Sequence, residues 1–136
     1  MIAFAITGLL VSAYLTYLSL MPSTSCPIGI LGFLSCNEVI YSTYSKFFGV
    51  SVALLGLGWF AIAFGLIVFA QRNQRLMFSV VAWSLLGAVG VVGFVYTEVF
   101  LIGSVCPLCT VAHIAGIAVL VLSVVGLRYH DAPHES

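Results

Sequence analysis

Charged side chains are scarce in this chain of 136 residues. Only 6% of the residues are Asp, Glu, Lys or Arg, against about a quarter in a typical soluble domain. Four bases balance four acids, so the net charge is zero and the basic surface that binds nucleic acid is missing. With 62% hydrophobic residues and a mean hydropathy of +1.24, the composition predicts an integral membrane protein.

Long apolar runs are abundant, and their lengths predict the architecture. A helix rises about 1.5 Å per residue, so roughly 20 apolar residues cross the hydrocarbon layer. Four stretches are long enough, and they cover approximately residues 2–21, 49–70, 76–96 and 106–127. They predict an all-α fold, a membrane four-helix bundle forming a single domain over residues 1–136, with a structured loop at residues 22–48.

The first apolar stretch lacks the features of a cleaved signal peptide. It has no Lys or Arg before its apolar run, no small-x-small cleavage site, and it is long for a signal sequence. We therefore expect it to be a retained membrane span.

The few cations predict the orientation of the bundle. With four spans, both termini and the turn at 71–75 lie on the same side of the membrane. That side holds three arginines, namely Arg72, Arg75 and Arg128. Lys46 is alone on the other side. The positive-inside rule therefore predicts that the loop at 22–48 and the turn at 97–105 lie outside the cytosol. The inverted topology remains an alternative.

The four cysteines divide into two pairs, Cys26 with Cys36 in the predicted loop and Cys106 with Cys109 at the start of the fourth span. Pro107 suits the first turn of a helix, so Cys106 is predicted to be the N-cap and Cys109 to lie in the first turn. The positive end of the helix dipole stabilises a thiolate there. The pattern favours a redox pair.

His113 is predicted to follow the two cysteines along one helix face. Positions 106, 109 and 113 fall within about 60° of one another, with the histidine about a turn deeper in the membrane. An imidazole inside a span should face the bundle interior and find a partner. We expect it to hydrogen-bond, or give a proton, to an oxygen of a bound electron acceptor. A plain hydrogen bond to a neighbouring helix is the alternative.

Two other interpretations of the cysteines remain open. Cys106, Cys109 and His113 could ligate zinc or copper together with a loop cysteine. The apolar surroundings offer few groups to orient such ligands, so no metal is our first expectation. Both pairs could instead be structural disulfides, although a C-x-x-C bridge closes a very small loop and stabilises little.

Several other residues have two possible roles. Trp59 and Trp83 could line a pocket or face lipid, and packing is the favoured role. Glu98 could carry protons or mark the membrane interface, and the interface is favoured. Six glycines in the spans are predicted to allow close helix packing, namely Gly56, Gly58, Gly87, Gly90, Gly93 and Gly116.

The order of these motifs resembles that of the vitamin K epoxide reductase family of four-helix membrane oxidoreductases. The resemblance depends on a cysteine pair after the first span, the run "CNEVIYS" at 36–42, "FGVS" at 48–51, and "CPLC" at 106–109. It covers most of the chain.

The resemblance implies a disulfide-generating electron relay. A reduced thioredoxin-like protein would be oxidised by the loop pair, with Cys26 as the first point of contact. Electrons would pass from Cys36 to Cys106 through a mixed disulfide, and Cys109 would deliver them to a quinone of the menaquinone or ubiquinone type. No fused thioredoxin domain follows the fourth span, so the resemblance implies a separate partner protein.

The resemblance also implies quinone-binding residues. In the family a hydrogen-bonding residue lies four positions after the last cysteine, and here that residue is His113 where the animal enzymes commonly have tyrosine. Ser45 aligns near a family asparagine that precedes the second span, and Ser42 is a possible supporting residue. The loop is short and the spacing from Cys26 to Cys36 is wide. We expect reduction of a plain quinone rather than of an epoxide.

Overall fold

The computed structural model describes residues 1–21 and 34–131, and within them the chain is mostly helical. The helices, in chain order, are α1 (Ile2–Leu20), α2 (Cys36–Ile40), α3 (Val52–Ala70), α4 (Arg75–Tyr96) and α5 (Pro107–Asp131). Four segments are long and apolar enough to cross a membrane, namely Ile2–Leu20, Val52–Ala70, Arg75–Ile102 and Pro107–Tyr129. The predicted all-α membrane four-helix bundle is confirmed.

Local sequence explains where the long helices begin and end. Helix α1 stops before Met21, because the ring of the following Pro22 disfavours a helical conformation at the preceding residue. Helix α5 begins with Pro107, whose missing N–H is not needed in a first turn. These two ends agree with the sequence prediction to within one residue.

The third span is longer than predicted. A π-helical segment, Thr97–Ile102, continues α4 where the sequence predicts a turn. It ends at Gly103, which has a left-handed φ of 73° that glycine adopts without strain. The backbone amides of Gly103 and Ser104 both donate to the carbonyl of Glu98, at 2.9 and 3.2 Å. The prediction that residues 97–105 form a turn is therefore wrong for its first six residues.

The four long helices form a ring. Helix α1 packs on α3 and α5, and α4 packs on the same two helices from the other side. Buried apolar residues form three clusters along the ring. The cluster at the end that holds the N-terminus consists of Ala5, Ile67, Ala70, Met77, Val80 and Val119, and we call it the lower layer. The cluster at the opposite end includes Leu15, Leu18, Cys36 and Cys106.

The described part of the segment between α1 and α3 is structured, as predicted. Helix α2 is followed by a 3-10 turn, Thr43–Ser45, and by the strands β1 (Lys46–Phe47) and β2 (Val50–Ser51). The strands form an antiparallel hairpin whose two turn residues, Phe48 and Gly49, both have positive φ angles. This hairpin leads directly into α3.

Only some of the predicted glycines make close helix contacts. A Cβ on Gly87 would overlap the Trp59 ring, and one on Gly56 would lie 3.4 Å from the Ser12 hydroxyl. Gly58 and Gly93 have open space around them, so the prediction is wrong for those two. Gly8 of α1, which the prediction omitted, lies directly against the ring of Phe60.

Candidate active site

Two cysteines meet where α2 reaches the start of α5. The sulfur atoms of Cys36 and Cys106 lie 3.2 Å apart, and both side chains are buried. A parallel bridge between Leu34 and Val105 brings the two chain segments together just before each cysteine. The separation exceeds a disulfide bond but needs only a small displacement to become one.

Cys106 caps helix α5, as the sequence predicts. Its sulfur accepts a hydrogen bond from the backbone N–H of Cys109 at 3.3 Å, and its carbonyl accepts one from the N–H of Thr110. Hydrogen bonds from the thiols of Cys109 and Cys36 hold the pKa of the Cys106 thiol well below its usual range, with a smaller contribution from the helix amides. Cys106 is therefore the sulfur best suited to carry negative charge.

A cavity of about 260 Å³ lies inside the ring of helices, below this pair. All four long helices and the segment between α1 and α3 contribute to its wall, which is mostly apolar. The lining residues that can react or hydrogen-bond with a ligand include Ser45, Glu98, Cys109 and His113. The cavity therefore joins three of the predicted site residues with one that was assigned elsewhere.

His113 lies one helical turn below Cys109, on the wall formed by α5. Its ring is parallel to that of Phe94 on α4, with the ring centres 6.4 Å apart and 5° between the planes. No described residue forms a hydrogen bond with its ring nitrogens. This stacking fixes the plane of the ring and leaves the nitrogens available to a molecule in the cavity.

Ser45 and Ser42 form one small hydrogen-bonded unit. The Ser45 hydroxyl donates to the carbonyl of Ser42 at 2.7 Å, and the Ser42 hydroxyl donates to the carbonyl of Val39 at 2.9 Å. Ser45 lines the cavity, whereas Ser42 ties the 3-10 turn to α2. In this arrangement the Ser45 oxygen can accept a hydrogen bond, but its own proton is already used.

Cys26, the fourth predicted catalytic cysteine, lies outside the described residues. The structure therefore describes three of the four predicted catalytic cysteines, namely Cys36, Cys106 and Cys109.

Glu98 and Trp59 belong to the cavity although the sequence favoured other roles for them. Glu98 is only 6% exposed and lines the cavity, so its side chain faces the interior of the bundle. The rule that ionisable groups inside a span have a function could have identified it. Trp59 both packs and lines the cavity, stacking on Trp83 with 6.4 Å between ring centres.

The indole nitrogen of Trp59 is a buried donor. It has no hydrogen-bond partner among the described residues, while the indole N–H of Trp83 donates to the Trp59 carbonyl at 3.2 Å. A buried polar group without a partner is unfavourable by about 1–3 kcal/mol. A ligand oxygen in the cavity would relieve this penalty.

The described residues contain no group of three or more His, Cys, Asp or Glu side chains that could hold a metal ion.

The bundle, its buried thiols and the cavity beside them define a multi-pass membrane protein with the features of a thiol redox enzyme. A family model described as "Vitamin K epoxide reductase family" matches residues 1–124, so the chain belongs to the vitamin K epoxide reductase family and is a membrane oxidoreductase. A search of curated proteins finds no match to the chain.

Proposed function

We propose that this protein oxidises a separate thioredoxin-like protein, passes the electrons through two cysteine pairs to a quinone, and so promotes disulfide formation. The observation that carries the proposal is the 3.2 Å approach of the Cys36 and Cys106 sulfurs beside a cavity lined by Cys109. Electrons can pass along these three sulfurs by thiol–disulfide exchange.

The cavity suits the head group of a quinone. Its volume of about 260 Å³ lies near the lower end for ligand sites, as expected for a site that takes a ring and leaves a tail outside. Leu55 and Leu86 line the cavity and are also exposed on the outer surface, so an apolar tail can reach lipid there. His113 and the Trp59 indole are the polar groups best placed to bind the ring oxygens.

The relay can be written as balanced exchange steps within the chain. A Cys36 thiolate attacks Cys106 of a Cys106–Cys109 disulfide, so the 36–106 bond forms and the Cys109 sulfur leaves with the electron pair. Cys26 then attacks Cys36, which closes the loop pair and releases Cys106. A bound quinone supplies a two-electron, two-proton acceptor, and the 106–109 bond forms again.

The remaining side chains hold this chemistry in place. The cap at Cys106 keeps its sulfur between Cys36 and Cys109, and the Phe94 ring fixes His113. Ser42 holds the turn that places Ser45 on the cavity wall. We assign the cysteine side of the bundle to the extracytoplasmic face, where a secreted partner would meet Cys26.

The direct test is quinone reduction by purified protein. With a reduced thioredoxin-like protein and a menaquinone or ubiquinone analogue, the quinone absorbance should fall, and Cys106→Ser and Cys109→Ser should each abolish the reaction. Ser123→Ala is a suitable control, because Ser123 is buried on α5 but does not line the cavity. Turnover that persists in either cysteine variant would contradict the relay.

A further inference from the structure

Glu98 is the only acidic residue that lines the cavity in the part of the chain that the structure describes, and no lysine or arginine lines it. Its side chain is buried, which is unfavourable for a carboxyl group inside a membrane span unless it has a partner or a function. Acidic side chains in such positions commonly act in proton relays.

The surroundings of Glu98 connect it to the thiols. Its side chain lines the same cavity as Cys109, and its carboxyl group interacts electrostatically with the thiols of Cys106 and Cys109. Its backbone carbonyl accepts the amides of Gly103 and Ser104, which ends the π-helical segment at this point. The carboxyl group therefore lies near the start of α5, on the same cavity wall as Cys109, the thiol that must gain and lose a proton in the relay.

The other titratable groups near Glu98 are less well placed. His113 lies a turn deeper on α5, and Tyr44 is more than half exposed at the cavity rim. Glu38 is exposed on α2 and accepts a hydrogen bond from the Ser104 hydroxyl. Cys36 faces Cys106 rather than the cavity.

We propose that Glu98 is the general acid and base for Cys109, an assignment that rests on the proposed relay. When Cys36 attacks the Cys106–Cys109 disulfide, the Cys109 sulfur leaves as a thiolate and takes a proton from the Glu98 carboxyl group. When the 106–109 bond forms again, Cys109 returns that proton to Glu98. The two electrons pass to the quinone, whose two protons come from water, so Glu98 ends the cycle unchanged.

The test uses a step that needs no quinone. In a Cys26→Ala background, the full-length protein with one disulfide can exchange between the 106–109 and 36–106 forms, and acid quenching with peptide mapping follows the rate. Glu98→Gln keeps the size of the side chain and removes its titratable proton. General acid–base catalysis is worth about 100-fold or more, so we expect a loss of that order.

The pH profile of this exchange separates proton transfer from a structural role. The unchanged protein should show an inflection that Glu98→Gln lacks and that Glu98→Asp partly restores. Glu38→Gln, which removes a nearby acid outside the cavity, should leave rate and profile unchanged. Equal rates and profiles for Glu98→Gln and the parent would overturn the assignment. If Glu98→Gln fails to fold, a Glu98→Asp profile identical to that of the parent would overturn it instead.

The experiments can refute the proposed function and the role of Glu98 independently of each other. Absence of quinone reduction in the unchanged protein, with normal disulfide exchange that depends on Glu98, would remove the proposed acceptor and support the proton-transfer role. Quinone reduction with exchange that does not depend on Glu98 would support the relay and remove the proton-transfer role.

Discussion

At the scale of single residues, Cys106 is distinguished by the number of donors around one sulfur. Two thiols and the first amides of α5 all stabilise its negative charge. A thiol that readily carries charge is also the sulfur that leaves most easily in exchange reactions. In the proposed relay, Cys106 is therefore suited to be the sulfur that leaves when Cys26 attacks Cys36 of the 36–106 disulfide.

The lowered pKa of Cys106 predicts how the stability of the reduced protein depends on pH. An unfolded cysteine has a pKa of about 8.5, and the folded value is lower. The stabilising contribution is therefore complete above the unfolded value and disappears as the pH falls through the folded one. Thermal unfolding in detergent should show this pH dependence, and Cys106→Ser should lack it. An identical pH dependence in both proteins would contradict the assignment.

Replacing Cys109 should trap the sulfur pair that the structure brings together. In Cys109→Ala, the Cys106 thiolate can attack Cys36 of a 26–36 disulfide, with Cys26 leaving, but the electrons cannot be exchanged further with Cys109, so the 36–106 disulfide should accumulate. Peptide mapping of the purified variant would detect it. The matched control is a variant in which Cys106 is replaced and Cys109 is kept. Finding only a 26–36 disulfide in Cys109→Ala would argue against the proposed order.

The sequence predicts the relative positions of those candidate site residues that share one helix. Cys106, Cys109 and His113 share one helix, so their order around the cavity follows from helical geometry. The place of Glu98 on the cavity wall was not predicted, because it depends on the π-helical segment, which hydropathy does not reveal. The contact between Cys36 and Cys106 spans 70 residues and follows from the resemblance to the family rather than from local geometry.

At the scale of helices, α3 and α4 meet through a glycine and an aromatic ring. Gly87 leaves room for the ring of Trp59, which lines the cavity. The Trp59 carbonyl accepts a hydrogen bond from the indole N–H of Trp83. Without a hydrophobic driving force in lipid, such close contacts and hydrogen bonds hold the helices together.

Gly87→Ala should therefore destabilise the bundle. A Cβ at this position would overlap the Trp59 ring, and overpacking of this kind lowers the free energy of unfolding by about 1–3 kcal/mol. Gly93→Ala on the same helix is the matched control, since nothing lies within 4 Å of its Cβ. Thermal unfolding in detergent compares the two, and an equally small effect for both would show that the contact is unimportant.

The helix ends show which element boundaries are predictable. Pro22 and Pro107 act on the residues beside them, so the end of α1 and the start of α5 follow from the sequence. The end of the third span does not, because Thr97 and Glu98 resemble the start of a polar turn. Gly103 provides the stop six residues after Thr97, and the intervening apolar residues continue the helix.

At the scale of the whole molecule, the number of spans follows from hydropathy alone, whereas the arrangement of the helices in a ring depends on side-chain contacts. Short turns predict that neighbouring spans pack together, which holds for α3 with α4 and for α4 with α5. The closure of the ring by α1 and α5 is a long-range contact that the residue pattern does not specify.

The orientation predicted from the arginines can be measured by labelling. In a cysteine-free background, Phe48→Cys introduces a thiol at a position that is 92% exposed before α3, and Gln71→Cys introduces one at the other end of that helix. An impermeant thiol reagent should label Phe48→Cys in intact cells and Gln71→Cys only after permeabilisation. The reverse pattern would establish the inverted topology.

The lower layer has an electrical consequence for the proposed reaction. Buried apolar side chains from all four long helices pack at that end of the bundle, so we expect protons to reach the cavity only from the cysteine side. The thiols that lose protons and the acceptor that gains them would then exchange those protons with water on the same side of the membrane. Turnover would move no net charge through the bilayer, so its rate should be insensitive to the transmembrane voltage.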